Sequence, residues 1–155
     1  KDILFLKRPK HLSTDKSSII NTIYYLYDIF NKKFQNLMIL QPTSPYRSIK
    51  HINNEWSKFI HLKKKYKSCA SVSKGKNADK KKFNIKNNTL ILGEEKKKVI
   101  SYEANGNFFM ANMKFLKRYK KFIVSEKTIA SVIKSKKNVI DIDTKKDYNL
   151  ALKYK

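Results

Sequence analysis

This sequence contains little cysteine, glycine, proline or acid, and each shortage narrows the possible classes of protein. Its 155 residues include 1 Cys, 3 Gly, 3 Pro and 12 acidic side chains. The single cysteine, Cys69, excludes an internal disulfide and is typical of a reducing compartment. No apolar run approaches the ~20 residues that span a bilayer. Together these shortages predict a cytoplasmic protein with no membrane partner.

The scarcity of acid leaves a large excess of positive charge. Lys and Arg number 36 against 12 acidic residues, a formal net charge of +24. Such an excess is typical of proteins that bind nucleic acid or another polyanion. The lysines, however, fall in separate runs at residues 63–65, 80–82 and 96–98. Lys, Asn, Ile, Phe and Tyr, all with AT-rich codons, are abundant together, so genomic base composition is the simpler interpretation and nucleic acid is not the expected partner.

Apolar spacing alternates between helical and strand-like periods along the chain. Helices are predicted over residues 17–34, 49–65, 113–118 and 147–154, and strands over residues 3–6, 37–40, 69–73, 90–92, 108–111 and 138–143, with the type of residues 128–133 left open. This alternation predicts a single α/β domain over residues 1–155 with a mostly parallel sheet. The Lys/Asn-rich segment 74–95 is weakly patterned, and we expect an excursion that covers the site or contacts another subunit.

Two of the three prolines bracket a pair of hydroxyls in "LQPTSPYR", residues 40–47. Each proline fixes φ and prevents a helix, so the Gln41 amide and the Thr43 and Ser44 hydroxyls project from a stiff turn. Ligands of parallel α/β sheets bind beyond the carboxyl ends of strands, where this turn is predicted to lie. These groups suit a polyhydroxylated ligand, and Arg47 suits a carboxylate or phosphate. The alternative is an ordinary turn whose hydroxyls bond local backbone.

Two carboxylates lie close together near the end of a chain that is poor in acid. Asp141 and Asp143 are separated by one residue, and on a strand such residues point to the same face. Mg²⁺ is bound by one or two carboxylates together with substrate phosphate. Asp141 and Asp143 are therefore predicted magnesium ligands. The alternative is a pair of solvated acids, with Thr144 and Asp147 forming a capping box at the start of a helix.

Four segments, in order, resemble the cytidylyltransferases that activate sialic acids. They are "KRPKHLSTDKSS" (7–18), "LQPTSPYR" (40–47), "NGNFFM" (105–110) and "IDIDTKKD" (140–147). The family shows R-P-x-x-L-x-x-D-x-S-S, L-Q-P-T-S-P-L-R, N-G-x-x-Y and D-I-D-T-x-x-D at comparable spacings. The resemblance covers almost the whole chain. It implies a Rossmann-like, glycosyltransferase-A-like nucleotidyltransferase fold, which is a three-layer sandwich. By this resemblance, the chain corresponds to roughly the C-terminal two thirds of the family domain.

The resemblance also implies an activity and a set of site residues. The activity is transfer of CMP from CTP to a sialic-acid-like nine-carbon acid sugar, with Mg²⁺ as cofactor and a homodimer as the expected assembly. Asp141 and Asp143 are the implied metal-binding and catalytic residues. The other expected contacts are Arg8 with Ser17 or Ser18 for the cytidine nucleotide, and Gln41, Thr43, Ser44, Arg47 and Asn105 for the substrate.

The sequence departs from the family pattern at two places that bear on the site. Phe109 stands where the family has Tyr, so any role of that hydroxyl is lost. Asn105 and Gly106 are expected to form a turn that precedes a strand. The family's glycine-containing basic loop before the R-P motif is absent, so we expect a fragment, or a protein that has lost its triphosphate cradle, with weak or no catalysis alone. A non-catalytic nucleotide- or sugar-binding remnant and a basic nucleic-acid-binding protein are the alternatives.

Overall fold

The computed structural model describes residues 3–64, 67–75, 81–93 and 100–154. The chain divides into two compact units, Lys1–Gln35 and Asn36–Lys155, and each is described by itself. Within the described ranges, every helix is too short or too polar to cross a bilayer. The prediction of a single domain over residues 1–155 stays a prediction.

The first unit contains a short 3₁₀ helix, Lys10–Leu12, and an α-helix, α1, Ile19–Ile29. Helix α1 begins where the serine pattern predicts, because the Ser18 side chain accepts a hydrogen bond from Ile20 N at 3.2 Å. It ends earlier than predicted, since Asn31 and Lys32 adopt left-handed backbone with φ of 48° and 61°. The predicted strand at residues 3–6 is wrong: the segment is exposed and joins no sheet within the described chain.

The second unit is built on a six-stranded sheet. Its strands are β1 Asn36–Ile39, β2 Ser68–Lys74, β3 Phe83–Lys86, β4 Thr89–Leu92, β5 Tyr102–Asn112 and β6 Thr128–Val132, and their order in the sheet is β1-β5-β2-β6-β4-β3. The strands predicted at 37–40, 69–73, 90–92 and 108–111 are confirmed within β1, β2, β4 and β5. Residues 128–132, which the pattern left open, form β6.

The prediction of a mostly parallel sheet is wrong for the described strands. Strands β2 and β6 form the parallel pair, while β1–β5, β2–β5, β3–β4, β3–β5 and β4–β6 are antiparallel. One cause is β5, which runs antiparallel between β1 and β2; the other is the pair of strands β3 and β4, of which β4 pairs antiparallel with β6. Strands β1, β2 and β6 nevertheless share one direction, as the predicted helical crossovers require. The result is a mixed α/β sheet.

Three helices accompany the sheet in the second unit: α2 Ile49–His61, α3 Met113–Tyr119 and α4 Lys145–Leu152. Residues alternate between the two faces of a strand, so neighbouring side chains enter different cores. Phe59 of α2 packs with Cys69, Phe108 and Met110 in one cluster. On the other face, Ala70, Val72, Phe83 and Leu90 form a second cluster. The sheet is therefore covered by apolar side chains on both faces.

The described part of segment 74–95 is more regular than its composition predicts. Strands β3 and β4 form a hairpin whose two-residue turn, Asn87 and Asn88, has φ of 49° and 59°. Two successive positive φ values match the twist of a hairpin, and Asn tolerates them. The hairpin extends the sheet through β4–β6 pairing. Residues 76–80 and 94–95 lie outside the described chain, and a subunit contact here stays a prediction.

The segment before α4 also differs from expectation. Residues 138–143, predicted as a strand, form turns and irregular backbone. The cap of α4 is as the pattern predicts, because Thr144 Oγ1 accepts from Asp147 N and Asp147 Oδ2 accepts from Thr144 N. The alternating apolar residues of this segment therefore run beside the sheet without pairing in it.

Candidate active site

A wide bulge in the middle of β5 shapes the candidate site. Ala70 of β2 pairs with Phe109 and Val72 pairs with Ala104, so Ser71 alone faces residues 105–108. The surplus residues leave the ladder, and Gly106 at their centre has φ +73°, a conformation that a residue without Cβ adopts at little cost. The expected turn before the strand is therefore wrong: Asn105 and Gly106 lie inside β5, as a bulge.

Three oxygen atoms from two distant motifs gather above Gly106. A Cβ built at Gly106 would lie 2.7 Å from Gln41 Oε1, 3.2 Å from Asp141 Oδ2 and 3.2 Å from Ser44 Oγ. Ser44 is fully buried and its hydroxyl donates to Asp141 Oδ1 at 3.4 Å. Glycine is therefore required at position 106 for two reasons: a Cβ would crowd these oxygen atoms, and the backbone has a positive φ. The structure thus brings together Gln41 and Ser44 of "LQPTSP" and Asp141 of "DIDT".

Arg47 lies beside this cluster but directs two of its donors to the protein backbone. Its Nε donates to Asn107 O at 2.9 Å, and its Nη2 donates to Gln41 O. Burial lowers the pKa of Arg47, and the charge of Asp141 opposes that shift. Because a guanidinium stays protonated in proteins, the side chain is a permanent cation next to Asp141. A contact of Arg47 with substrate stays a prediction.

The loop after β1 and the loop before α4 are joined by main-chain contact. Ile142 N donates to Thr43 O at 2.8 Å. Because residues 138–143 form no strand, strand geometry does not hold Asp141 and Asp143 on one face, contrary to the prediction from the sequence. Asp141 is partly buried beside Ser44, whereas Asp143 is exposed.

The residues present fit a magnesium ion. Among the described residues, no group of three or more His, Cys, Asp or Glu forms a metal cage. Mg²⁺ does not need one, because it keeps several waters and takes one or two carboxylates together with phosphate oxygens. Asp141 and Asp143 supply that number of carboxylates. Magnesium binding itself stays a prediction.

Asn105 presents a buried donor next to Gly106. The residue is 4% exposed, and its Oδ1 accepts from Asn107 N at 3.2 Å. Within the described chain its Nδ2 has no hydrogen-bond partner. A buried amide without an acceptor is costly, and such groups are usually satisfied by a ligand or water. Asn105 Nδ2 is thus a buried amide donor that lacks an acceptor within the described chain.

Arg8, Ser17 and Ser18 lie in the first unit, where each has a local partner. Arg8 Nε donates to Ser13 Oγ at 3.2 Å. Ser17 Oγ donates to His11 O at 3.0 Å, and Ser18 caps α1. These bonds order the start of α1. The predicted contacts of the three residues with a nucleotide stay predictions.

Two further residues shape the site and were not among the predicted ones. Ser71 bridges the bulge, and Asn107, 1% exposed, contacts both loops of the site. The signal in the sequence was the glycine flanked by two asparagines in "NGN", because an isolated glycine in a strand pattern indicates a bulge. For Ser71 the sequence carries no comparable signal.

A mixed six-stranded sheet with this polar cluster beside the bulge of β5 is consistent with an α/β nucleotidyltransferase-like fold. No family model matches the chain. It is similar to the N-acylneuraminate cytidylyltransferase of Escherichia coli O18:K1:H7 (strain RS218 / NMEC), with 28% identity over 155 residues. The match covers 96% of this chain and 36% of the relative, so the chain spans about a third of that protein's length. A cytidylyltransferase is thus a distant homologue.

Proposed function

We propose that this chain provides the sugar- and metal-binding part of a cytidylyltransferase that transfers CMP from CTP to a sialic-acid-like nine-carbon acid. The observation that carries the proposal is the gathering of Gln41, Ser44 and Asp141 above Gly106. These residues come from two motifs about a hundred positions apart, and the proposed chemistry needs them together. The similarity to the Escherichia coli enzyme supports both the reaction and the class of sugar.

In the proposed reaction, the anomeric hydroxyl oxygen of the sugar attacks the α-phosphorus of CTP. A new bond forms between this oxygen and the α-phosphorus, while the bond from the α-phosphorus to the oxygen that bridges to the β-phosphate breaks. Pyrophosphate leaves, and the hydroxyl proton is lost to solvent. Such transfers depend on positioning and on neutralising charge at the phosphate oxygens. The chain's contribution is therefore to orient the sugar hydroxyl and to place positive charge nearby.

The sugar is oriented by groups whose own positions are constrained. The Gln41 amide, on a turn between prolines, offers both a donor and an acceptor to sugar hydroxyls. Asn105 Nδ2 donates to a further acceptor oxygen of the sugar or phosphate. Thr43 and Ser44 complete the turn, and Ser44 orients Asp141 by hydrogen bonding. Arg47 contributes a fixed cation.

Asp141 and Asp143 are the carboxylates proposed to bind Mg²⁺. When bound, the ion neutralises charge that develops on the phosphate oxygens. Arg8 and Ser17 or Ser18 are the proposed contacts of the cytidine nucleotide.

Ligand binding and pyrophosphate release test the proposal separately. Calorimetric titrations of this chain with CTP, and with N-acetylneuraminate, are run in buffer containing MgCl₂. Gln41→Ala is expected to weaken sugar binding, and Asp141→Asn to weaken Mg²⁺-dependent CTP binding, each about tenfold or more from one lost polar contact. Asp28→Asn, at an exposed site in α1, is the charge-matched control and should bind like the parent chain. Absence of both binding events in the parent chain contradicts the proposal, and pyrophosphate release with both ligands measures catalysis.

A further inference from the structure

The candidate site is assembled from two loops that belong to different parts of the second unit. Residues 40–47 follow β1, and residues 138–144 precede α4. Neither loop has regular structure that could set its position by a ladder or a helix. The distance between the Gln41 amide and the Asp141 carboxylate therefore depends on the direct bond between the loops, Ile142 N to Thr43 O, and on contacts that tie both loops to a common support.

The side chain of Asn107 makes such a contact with each loop. Its Nδ2 donates to Tyr46 O at 3.1 Å and to Asn138 O at 2.8 Å. Tyr46 lies two residues after Ser44, and Asn138 lies three residues before Asp141. One amide group thus spans the two loops, using both of its N–H donors.

The backbone of Asn107 adds further links to the same region. Its carbonyl accepts from Arg47 Nε at 2.9 Å, and its N–H donates to Asn105 Oδ1 at 3.2 Å. Asn107 is 1% exposed, so the loss of a partner leaves one of its polar groups buried and unsatisfied. The backbone of Asn107 is thus bonded within β5, while its side chain contacts both loops.

We infer that Asn107 is a positioning residue of the site: a buried amide that, together with the Ile142–Thr43 main-chain bond, fixes the separation of the loop carrying Gln41 and Ser44 from the loop carrying Asp141. Two N–H donors on one short side chain are needed, and asparagine has them. Aspartate has the same size but offers two acceptors to two carbonyl oxygens. The functional consequence rests on the proposed function, whereas the structural link rests on the contacts of Asn107 alone.

The structural link is tested by hydrogen exchange at the Ile142 amide, which donates across the two loops to Thr43 O. Exchange is followed by NMR in the parent chain, in Asn107→Asp and in Asn107→Ala. Asn107→Asp leaves no cavity and removes both donors when ionised, whereas Asn107→Ala removes them without adding a charge, so each variant remains informative should the other fold poorly. The control is Asn112→Ala, which removes a buried asparagine of the same strand whose Oδ1 caps α3 and whose loss lowers overall stability.

We expect Ile142 exchange to accelerate at least about tenfold in both Asn107 variants, relative to amides of α2 in the same sample, because its loops separate more readily. In Asn112→Ala the ratio of Ile142 exchange to α2 exchange should equal that of the parent chain. A parent-like ratio in Asn107→Asp overturns the inference, as does an equal rise of the ratio in Asn112→Ala.

A second measurement separates the inference from the proposed function. Mn²⁺ binding in the presence of CTP is measured by electron paramagnetic resonance for the same four proteins. Weaker binding in Asn107→Asp, with parent-like binding in Asn112→Ala, supports a positioning role toward Asp141. Should the parent chain bind no Mn²⁺ while Ile142 exchange still accelerates in Asn107→Asp, the loop link is upheld and the proposed metal-binding role of Asp141 is overturned.

Discussion

Ser71 Oγ lies 2.9 Å from both the backbone nitrogen and the backbone oxygen of Phe108, accepting from one and donating to the other. A side chain of β2 therefore replaces the ladder bonds that the β5 bulge interrupts. Both atoms of Phe108 are buried, so their partners must come from the protein. Bulges commonly redirect residues beside functional sites, and here the surplus residues carry Asn105, Gly106 and Asn107 toward the loops.

Replacing Ser71 with alanine should destabilise the second unit. The substitution leaves the Phe108 N–H and C=O buried without partners, at a cost of about 1–3 kcal/mol in the free energy of unfolding. Urea denaturation followed by circular dichroism measures the change. Ser57→Ala, at an exposed position of α2, is the control and should change stability by less than about 0.5 kcal/mol. Equal stabilities of Ser71→Ala and the parent chain contradict this account of the bulge.

Replacing Gly106 with alanine should harm both stability and sugar binding. At φ +73° a Cβ is strained by about 1–2 kcal/mol, and it would also lie 2.7 Å from Gln41 Oε1. We expect a lower urea midpoint and weaker binding of N-acetylneuraminate, because the Gln41 amide must move. Gly75→Ala is the control, since Gly75 lacks the positive φ of Gly106 and the atoms nearest to its Cβ, at 3.1–3.3 Å, belong to the Lys82 and Ser101 side chains and not to the site. Parent-like stability and binding in Gly106→Ala would argue against the described packing.

Lys67 is a buried cation that closes the C-terminal end of α2. Its Nζ donates to Phe59 O and Ile60 O, each at 2.9 Å, and to Leu62 O at 3.4 Å. A cation at a helix C-terminus satisfies free carbonyls and opposes the negative end of the helix dipole. Lys67→Met keeps the apolar stem but should lower the free energy of unfolding by about 1–3 kcal/mol.

Thermal and urea unfolding of Lys67→Met are compared with those of Lys63→Met, an exposed lysine nearby. Both variants remove one positive charge, so a difference between them reports the carbonyl contacts and not the net charge. Similar unfolding midpoints for the two variants would show that Lys67 contributes nothing specific to the end of α2.

Cys69 should be unreactive in the folded protein. The thiol is 3% exposed, and burial raises its pKa to about 12. Because the thiolate is the reactive form, alkylation by iodoacetamide at pH 8 should be slow in buffer and fast in denaturing urea. Mass spectrometry measures the alkylated fraction, and rapid labelling of the native chain would show that Cys69 is accessible.

The same pKa predicts how Cys69 affects stability at high pH. The folded pKa lies above the unfolded value, so the unfolded state loses its thiol proton first as pH rises. The contribution of Cys69 to stability is fully present below the unfolded pKa, near 9, and is lost as pH rises through about 12. The urea midpoint of the parent chain should therefore fall relative to that of Cys69→Ala as pH rises from about 9 to about 12. Below pH 9 the difference between the two midpoints should stay constant.

Much of the local structure follows from local residue patterns. The starts of α1 and α2 coincide with serines that cap them, at Ser18 and Ser48. The capping box before α4 was readable from Thr144 and Asp147 alone. The apolar runs of β1 and β2 also matched their strands. These features depend on residues within one or two turns, so a short window of sequence contains the interactions that produce them.

The site was predictable as a set of motifs and not as a geometry. The resemblance assigns "LQPTSP" and "DIDT" to one site, and in the structure Gln41 and Asp141 lie together above Gly106. The segment carrying the aspartates was nevertheless expected to be a strand. Its alternating apolar residues satisfy the strand pattern, but no neighbouring strand is in place to pair with it within the described chain. The link between Asn107 and both loops had no motif at all.

By itself, the sequence determined the caps of α1 and α4, the apolar runs that form β1, β2, β4 and β5, and which polar residues accompany the prolines and aspartates, because capping and periodicity are local properties. Only the tertiary structure decided the direction of β5, the bulge at Gly106 and the meeting of Gln41 with Asp141. Strand order and bulge register depend on pairing between residues far apart in the chain. Those pairings are selected by the packing of the whole sheet, which no single segment contains.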